Sequence, residues 1–73
     1  MNNTIEIKDD FITLGQFLKK AKLIETGGQS KYFIEYNDIT INNRKPEGRG
    51  SKIYINDTVW INNIVYQVVK VKK

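Results

Sequence analysis

Apolar residues recur at helical spacing in the segment that follows the first dozen residues. Thr13 precedes Gln16 at the spacing of a capping box, in which a hydroxyl and an amide satisfy backbone N–H groups at a helix start. The pattern therefore predicts an amphipathic helix over residues 13–24. Its apolar stripe consists of Leu14, Phe17, Leu18, Ala21 and Ile24. Gly15, in the first turn, costs roughly 1 kcal/mol relative to alanine, a weak indication that something approaches the backbone closely there.

A second helix is predicted directly after the first. Thr26 and Gln29 repeat the capping-box spacing, and Gly27 and Gly28 between them allow the chain to turn. This helix should run from about residue 28 to 36. Its inward face is expected to consist of Ser30, Phe33, Ile34 and Asn37. Asn37 and Asp38 then end it, since both residue types tolerate the left-handed conformation.

Beyond residue 38 the apolar residues alternate, which predicts strands over 39–41, 53–55, 58–61 and 64–71. Asparagine-containing turns separate these strands at 42–43, 56–57 and 62–63. Residues 4–7 alternate as well and could add an edge strand. The order of elements predicts an α+β protein with a small sheet. Phe17, Phe33 and Trp60 are expected in its core because they supply the largest apolar volumes.

The chain is short and carries neither cysteine nor histidine. Its 73 residues allow one domain, spanning 1–73. Disulfides and the common nitrogen or sulfur ligands of zinc are unavailable to it. No apolar run is long enough to serve as a signal peptide or to span a bilayer. We therefore expect a cytoplasmic protein, acting as a monomer, without cofactors or a membrane partner.

Positive charge is concentrated in one loop. Twelve Lys and Arg against eight Asp and Glu give a net charge of +4 and allow an anionic partner. Residues 44–52, RKPEGRGSK, carry four of the cations: Arg44, Lys45, Arg49 and Lys52. The stretch is not a phosphate-binding P-loop, since it reads Gly-Ser-Lys in place of Gly-Lys-Ser and a strand pattern follows it.

No catalytic apparatus is evident. Without histidine and cysteine, and with carboxylates only on predicted surfaces or in turns, the sequence offers no general base, nucleophile or metal site. Binding of phosphate groups requires only clustered cations and accessible backbone N–H groups. Gly27, Gly28 and Lys31 offer these at the start of the second helix, and Lys19, Lys20 and Lys22 add charge to the first. The four tyrosines fit either sheet cover or base stacking.

Taken in order, these pieces resemble a known family. The stretches TLGQFLKKAKLIETGGQSKYFI, ITINN and RGSKIYINDTVWI are similar to the RNA-binding domain named after small-subunit ribosomal protein S-four, the alpha-L motif. More narrowly, they resemble small stand-alone bacterial proteins of the YaaA type. The resemblance covers about residues 12–61. It implies two short antiparallel helices packed on a small, mostly antiparallel twisted sheet, with RNA against the helices and the adjacent basic loop.

The resemblance also implies which residues contact RNA. Gly27, Gly28 and Lys31 match the glycine turn and second helix of the family, and Arg49, Gly50 and Lys52 match its Arg-Gly-x-Lys loop. The full candidate set is Gln16, Lys20, Gly27, Gly28, Lys31, Arg44, Arg49, Gly50 and Lys52. Thr13-Leu14-Gly15 stands where many members have Arg-Leu-Asp, and Gly48 and Ser51 stand where basic residues are frequent.

The function predicted is non-enzymatic binding of structured RNA, with ribosomal RNA or a ribosomal subunit as the target that the resemblance implies. A folded junction should be preferred over a single-stranded sequence, because A-form helices are read by shape and phosphate position. One alternative is a protein-interaction adaptor that docks through the sheet, Trp60 and the tyrosines. Binding of duplex DNA is a third possibility, indicated by charge alone.

Overall fold

Two short helices and six strands make up the fold. A computed structural model describes residues 3–71. In chain order the elements are β1 (Thr4–Ile7), β2 (Phe11–Thr13), α1 (Leu14–Lys20), a 3-10 turn (Gly27–Gln29), α2 (Ser30–Tyr36), β3 (Ile39–Ile41), β4 (Lys52–Tyr54), β5 (Thr58–Ile61) and β6 (Ile64–Lys70). The predicted α+β class, with two helices and a mostly antiparallel sheet, is confirmed.

The first helix is shorter than the apolar stripe predicts. Thr13 caps it as expected, with its Oγ1 accepting from the N–H of Gln16 at 3.3 Å and Gln16 Oε1 accepting from the N–H of Thr13 at 3.1 Å. It ends at Lys20 because Lys22 adopts a left-handed φ of 63°. The N–H of Leu23 then reaches the carbonyl of Leu18 at 2.9 Å, and the N–H of Lys22 that of Lys19 at 3.0 Å. These two bonds form a Schellman motif, which stops the helix.

The second helix ends at Tyr36 as predicted, but it begins at Ser30 after a 3-10 turn and the conformation that ends it differs from the prediction. Asn37 is extended, with φ −129°, so the predicted left-handed ending is wrong. The Asn37 side chain instead donates to the carbonyl of Phe33 at 2.8 Å, and its Oδ1 accepts from Asn62 at 2.6 Å. The end of α2 is thereby joined to the turn after β5.

The larger sheet has the strand order β1-β6-β5-β3. β3, β5 and β6 are antiparallel neighbours, and β1 lies parallel to β6 at the edge that the sequence allowed. Asn62 and Asn63 join β5 to β6 with φ values of 49° and 74°, the left-handed pair of a two-residue hairpin turn. The predicted asparagine turns therefore determine where these strands end.

A second, two-stranded sheet was missed by the sequence analysis. β2 pairs with β4 in antiparallel register, with Phe11 opposite Tyr54, Ile12 opposite Ile53 and Thr13 opposite Lys52. β2 is only three residues long and runs directly into α1. Its three residues, Phe-Ile-Thr, show no apolar/polar alternation that would separate a strand from the start of the helix.

The core lies between α1 and the strands. Its buried residues are Ile7, Ile12, Leu14, Phe17, Leu18, Ile24, Ile39, Ile53, Val59, Ile61 and Val68. Phe17 packs edge-on against Tyr66 of β6 with ring centroids 5.6 Å apart. Phe33 is only half-buried against this cluster. The prediction that Trp60 belongs to the core is wrong: it is 41% exposed, because Val59 and Ile61 face inward and a strand alternates its sides.

Candidate nucleic-acid interface

The basic loop is fixed to the start of α1 by its backbone. The N–H of Leu14 donates to the carbonyl of Ser51 at 2.8 Å, and the N–H of Gly15 donates to that of Arg49 at 2.9 Å. These bonds extend the β2–β4 pairing beyond its last strand residues. The sequence analysis expected a close neighbour at the backbone of Gly15, and in the structure this neighbour is Arg49.

Hydrogen bonds inside the loop give it a defined shape. The N–H of Glu47 donates to the hydroxyl of Ser51 at 2.7 Å, and the N–H of Ser51 donates to the carbonyl of Gly48 at 3.1 Å. Gly48 has a φ of +137°, a conformation that favours glycine. Arg49 thus belongs to a compact turn with a fixed backbone.

The glycine turn before α2 is held by side chains on both sides. Gln29 Oε1 accepts from the N–H groups of Glu25 at 2.6 Å and Thr26 at 3.2 Å. Ser30 is fully buried and its Oγ donates to the carbonyl of Gly27 at 2.6 Å. Arg49 Nη1 lies 3.4 Å from the same carbonyl, which brings the basic loop against the turn.

These two segments together form an open depression of about 400 Å³, which we call the basic cleft. Its lining residues are Gly28, Lys31, Tyr32, Ile34, Gly48 and Arg49. Within residues 3–71 the one ion pair closer than 4.0 Å joins Lys70 to Asp10, at 3.4 Å. The charges of Lys31 and Arg49 are therefore not neutralised by a neighbouring carboxylate, and both are available to an anion.

Gly28, which lines the cleft, and its neighbour Gly27 both have an exposed backbone. In the part of the chain that the structure describes, neither N–H group has an intramolecular acceptor. Neither residue adopts a positive φ. A Cβ at Gly27 would meet nothing within 4 Å, and one at Gly28 only Thr26 Oγ1 at 3.9 Å. The fold itself does not require glycine at these two positions. Glycine would be required if a ligand came close to the backbone there.

A second surface lies on the exposed side of β2 and β4. The rings of Phe11 and Tyr54 are neighbours across the strands, with centroids 5.6 Å apart and planes at 50°. Lys52 Nζ stands 4.9 Å from the centroid of Phe11. We call Phe11, Lys52 and Tyr54 the aromatic surface. Gln16 and Lys20 line a hollow next to Phe11.

The structure divides the predicted RNA-binding residues. Gly28, Lys31 and Arg49 line the basic cleft, and Gly27 adjoins it through the contact of its carbonyl with Arg49. Gln16, Lys20 and Lys52 lie around Phe11. Gly50 lies in the loop between the two groups. Arg44 belongs to neither, since its backbone pairs with Ile41 at the end of β3.

Sequence reasoning missed several residues at these surfaces. Tyr32, which by sequence fits either sheet cover or base stacking, lines the cleft. Ile34 packs against the core as predicted and also lines the cleft. Phe11 and Tyr54 were not recognised as a pair, because β2 had not been recognised as a strand. The order of exposed Phe11, buried Ile12 and half-buried Thr13 is visible only in the structure, because the sequence Phe-Ile-Thr does not alternate apolar and polar residues.

Two classes of feature are not found among the described residues. No helix within 3–71 is long and apolar enough to cross a membrane. The same residues contain no group of three or more His, Cys, Asp or Glu side chains placed to hold a metal ion.

The fold and the cleft define a small α+β domain with a cationic surface built from a helix turn and a loop. A sequence profile of the S4 domain matches residues 5–69, and the chain belongs to the S4 domain family. It is similar to the probable ribosome maturation protein RlbA of Bacillus subtilis (strain 168), with 41% identity over 70 residues, which cover 94% of this chain and 99% of that protein. No solved structure matches the chain.

These comparisons confirm the family resemblance read from the sequence. The narrower likeness to YaaA-type proteins stays a prediction, and so do the roles of the individual residues.

Proposed function

We propose that the protein is a non-enzymatic RNA-binding module that holds structured RNA in the basic cleft. One observation carries the proposal: residues 28–31 and 48–49, distant in sequence, converge on one open depression with two unneutralised cations. Membership of the S4 domain family supports it. The whole chain would act as one domain, with the motif core at about residues 12–61.

The cleft suits the phosphate backbone of a folded RNA. Lys31 and Arg49 would each hold a phosphate, and the N–H groups of Gly27 and Gly28 would donate to phosphate oxygens. Such contacts position an RNA helix without reading its sequence. Selectivity would come from the shape of the RNA that brings phosphates to both sides of the cleft.

Ribosomal RNA, free or in a ribosomal subunit, is the proposed target. The similar protein from Bacillus subtilis is named a probable ribosome maturation protein. A ribosomal target would place the protein in the cytoplasm. It also provides the probe for the first experiment, since subunits can be purified and sedimented.

The proposal is tested by cosedimentation with purified ribosomal subunits across a salt series. The variant Lys31→Ala/Arg49→Ala should bind more weakly, and its log–log salt slope should be shallower by about 0.7–0.9 for each phosphate contact removed. The matched control is Arg44→Ala/Lys45→Ala, which removes the same charge outside the cleft. Both variants lower the net charge from +4 to +2.

The control should retain most of the wild-type slope. Equal losses in the two variants would mean that binding follows net charge alone, and an unchanged slope in both would contradict a role for the cleft. Competition with duplex DNA in the same assay separates RNA recognition from general polyanion binding, since structured RNA should compete far better.

A protein adaptor remains the second candidate because of the open face of the larger sheet. Trp60 and Val65 lie opposite each other on β5 and β6 and are 41% and 40% exposed. Exposed aromatic residues are frequent anchors of protein interfaces. Subunit binding that is insensitive to salt and is lost with Trp60→Ala would favour this candidate over RNA.

A further inference from the structure

The register of β2 and β4 turns two aromatic rings away from the core. Ile12 and Ile53 face each other and are 6% and 0% exposed, so their neighbours Phe11 and Tyr54 point to the opposite side. Phe11 is 38% and Tyr54 49% exposed. Their planes are tilted by 50°, so neither ring covers the face of the other.

Lys52 adds a positive charge to these rings. Its Nζ lies 4.9 Å from the centroid of Phe11, within the range of a cation–π contact. Among residues 3–71 it has no carboxylate partner within 4.0 Å. Aromatic faces beside a cation are the combination with which proteins bind single-stranded nucleic acid, because bases stack on the rings while the cation holds the phosphates.

The aromatic surface is continuous with the basic cleft along the chain. Arg49 lines the cleft, and Lys52 and Tyr54 follow it in the same segment, whose backbone is anchored to α1 through Arg49 and Ser51. Five extended residues span at most about 17 Å. A few nucleotides of one RNA bridge that distance.

We propose that the aromatic surface stacks an unpaired base next to the helical RNA segment held in the basic cleft. The inference rests on the proposed function and names its substrate more closely: a helix with a single-stranded flank. Phe11 and Tyr54 supply the stacking faces, and Lys52 holds the phosphate of the flanking nucleotide.

Carboxylates near Phe11 restrict how the strand lies. Asp9 and Asp10 line a hollow beside this ring, and Lys70 partly neutralises Asp10 at 3.4 Å. Because carboxylates repel phosphates, the RNA backbone lies on the Lys52 side, and only the base extends over the rings.

The test compares two probes: a blunt RNA hairpin, and the same hairpin with a short adenine-rich tail at either end. The wild-type protein should bind a tailed hairpin about 5-fold to 150-fold more tightly than the blunt one, which corresponds to one stacked base. Phe11→Leu/Tyr54→Leu should lose this preference and retain the affinity for the blunt hairpin. 2-Aminopurine in the tail should be quenched by the wild type and not by this leucine variant.

Two controls separate stacking from stability. Trp60→Leu removes an exposed aromatic from the other sheet and should keep the preference. Phe11→Tyr/Tyr54→Phe keeps both rings and should keep it as well. Unchanged binding of the blunt hairpin by the leucine variant shows that it is folded.

The possible results are distinguishable. Loss of the preference in the leucine variant alone supports the inference. A preference that survives in that variant overturns it, as does a wild-type protein that binds both hairpins equally, although the proposed function then stands. A wild-type protein that binds neither hairpin in a salt-dependent manner contradicts the proposed function and the inference together.

Discussion

At the scale of single residues, Gly28 offers the sharpest separation of folding from binding. Its φ is not positive, and a methyl group there would meet only Thr26 Oγ1, at 3.9 Å. Gly28→Ala should therefore raise the free energy of unfolding by about 0.4–1 kcal/mol, because alanine restricts the unfolded chain. RNA binding should weaken about tenfold, the value of one charge-assisted hydrogen bond of about 1.5 kcal/mol. Urea unfolding and filter binding measure the two effects.

Gly15→Ala is the matched glycine control. A Cβ at Gly15 would make ordinary contacts, 3.5 Å from Arg49 Cβ and 3.7 Å from Ser30 Oγ. This variant should also be stabilised, by up to about 1 kcal/mol in a helical position, with RNA affinity retained. If Gly28→Ala and Gly15→Ala bind RNA with equal affinity, the backbone N–H groups of the glycine turn are not part of the RNA-binding site.

Individual candidate residues could be named from the sequence only where local chemistry points to them. Lys31 and Arg49 could be named because cations near a glycine turn and in a glycine-bearing loop are suited to phosphate. That these two residues share one cleft, and that Arg44 lies apart, depends on the contact of the loop with α1 and the glycine turn. Hydrophobic periodicity contains no information on that contact.

At the scale of elements, the end of α1 is set by a residue that gives no sequence signal. Lys22 occupies the left-handed position of a Schellman motif, with φ 63°, where glycine is usual. The apolar stripe continues to Ile24, so periodicity alone placed the end of the helix too late. Ala21 and Ile24, the last two residues of the predicted stripe, pack on the core beyond the helix, which explains why the apolar spacing continues past its end.

Lys22→Gly should therefore stabilise the protein. Relief of the left-handed strain is worth about 1–2 kcal/mol and is offset in part by the greater freedom of glycine in the unfolded chain. We expect a net gain of about 0.5–1 kcal/mol, and hence a melting temperature several degrees higher by calorimetry. Lys22→Ala removes the same charge but keeps a Cβ, so it should show no such gain. Equal melting temperatures for the two variants would show that the left-handed conformation of Lys22 does not strain the protein.

The strands followed their sequence signals where those signals were long enough. Alternation predicted β3, β5 and most of β6, and the asparagine pairs predicted the turns. β2 was not predicted, because three residues are too few to establish the two-residue period of a strand. Trp60 was misassigned because size was given more weight than alternation: burial of Val59 and Ile61 on one side of β5 requires Trp60 on the other.

At the scale of the whole molecule, the distribution of charge matters more than its sum. The net charge of +4 is modest for 73 residues. Lys31 and Arg49 nevertheless lie together without carboxylate partners within 4.0 Å in the described residues, so they produce a locally positive surface. The fold class and the family could be read from the order of the elements. The parallel pairing of β1 with β6 could not, because it joins the two ends of the chain and leaves no local pattern.

The most direct test of the account is a nuclear magnetic resonance titration of the labelled protein with structured ribosomal RNA. If RNA is held by charge in the basic cleft as proposed, the amide signals of Gly27, Gly28, Lys31 and Arg49 should shift together and return as salt is added. The indole signal of Trp60, on the open face of the larger sheet, should stay in place. Shifts confined to Trp60 and Val65, with the glycine amides unmoved, would contradict the account.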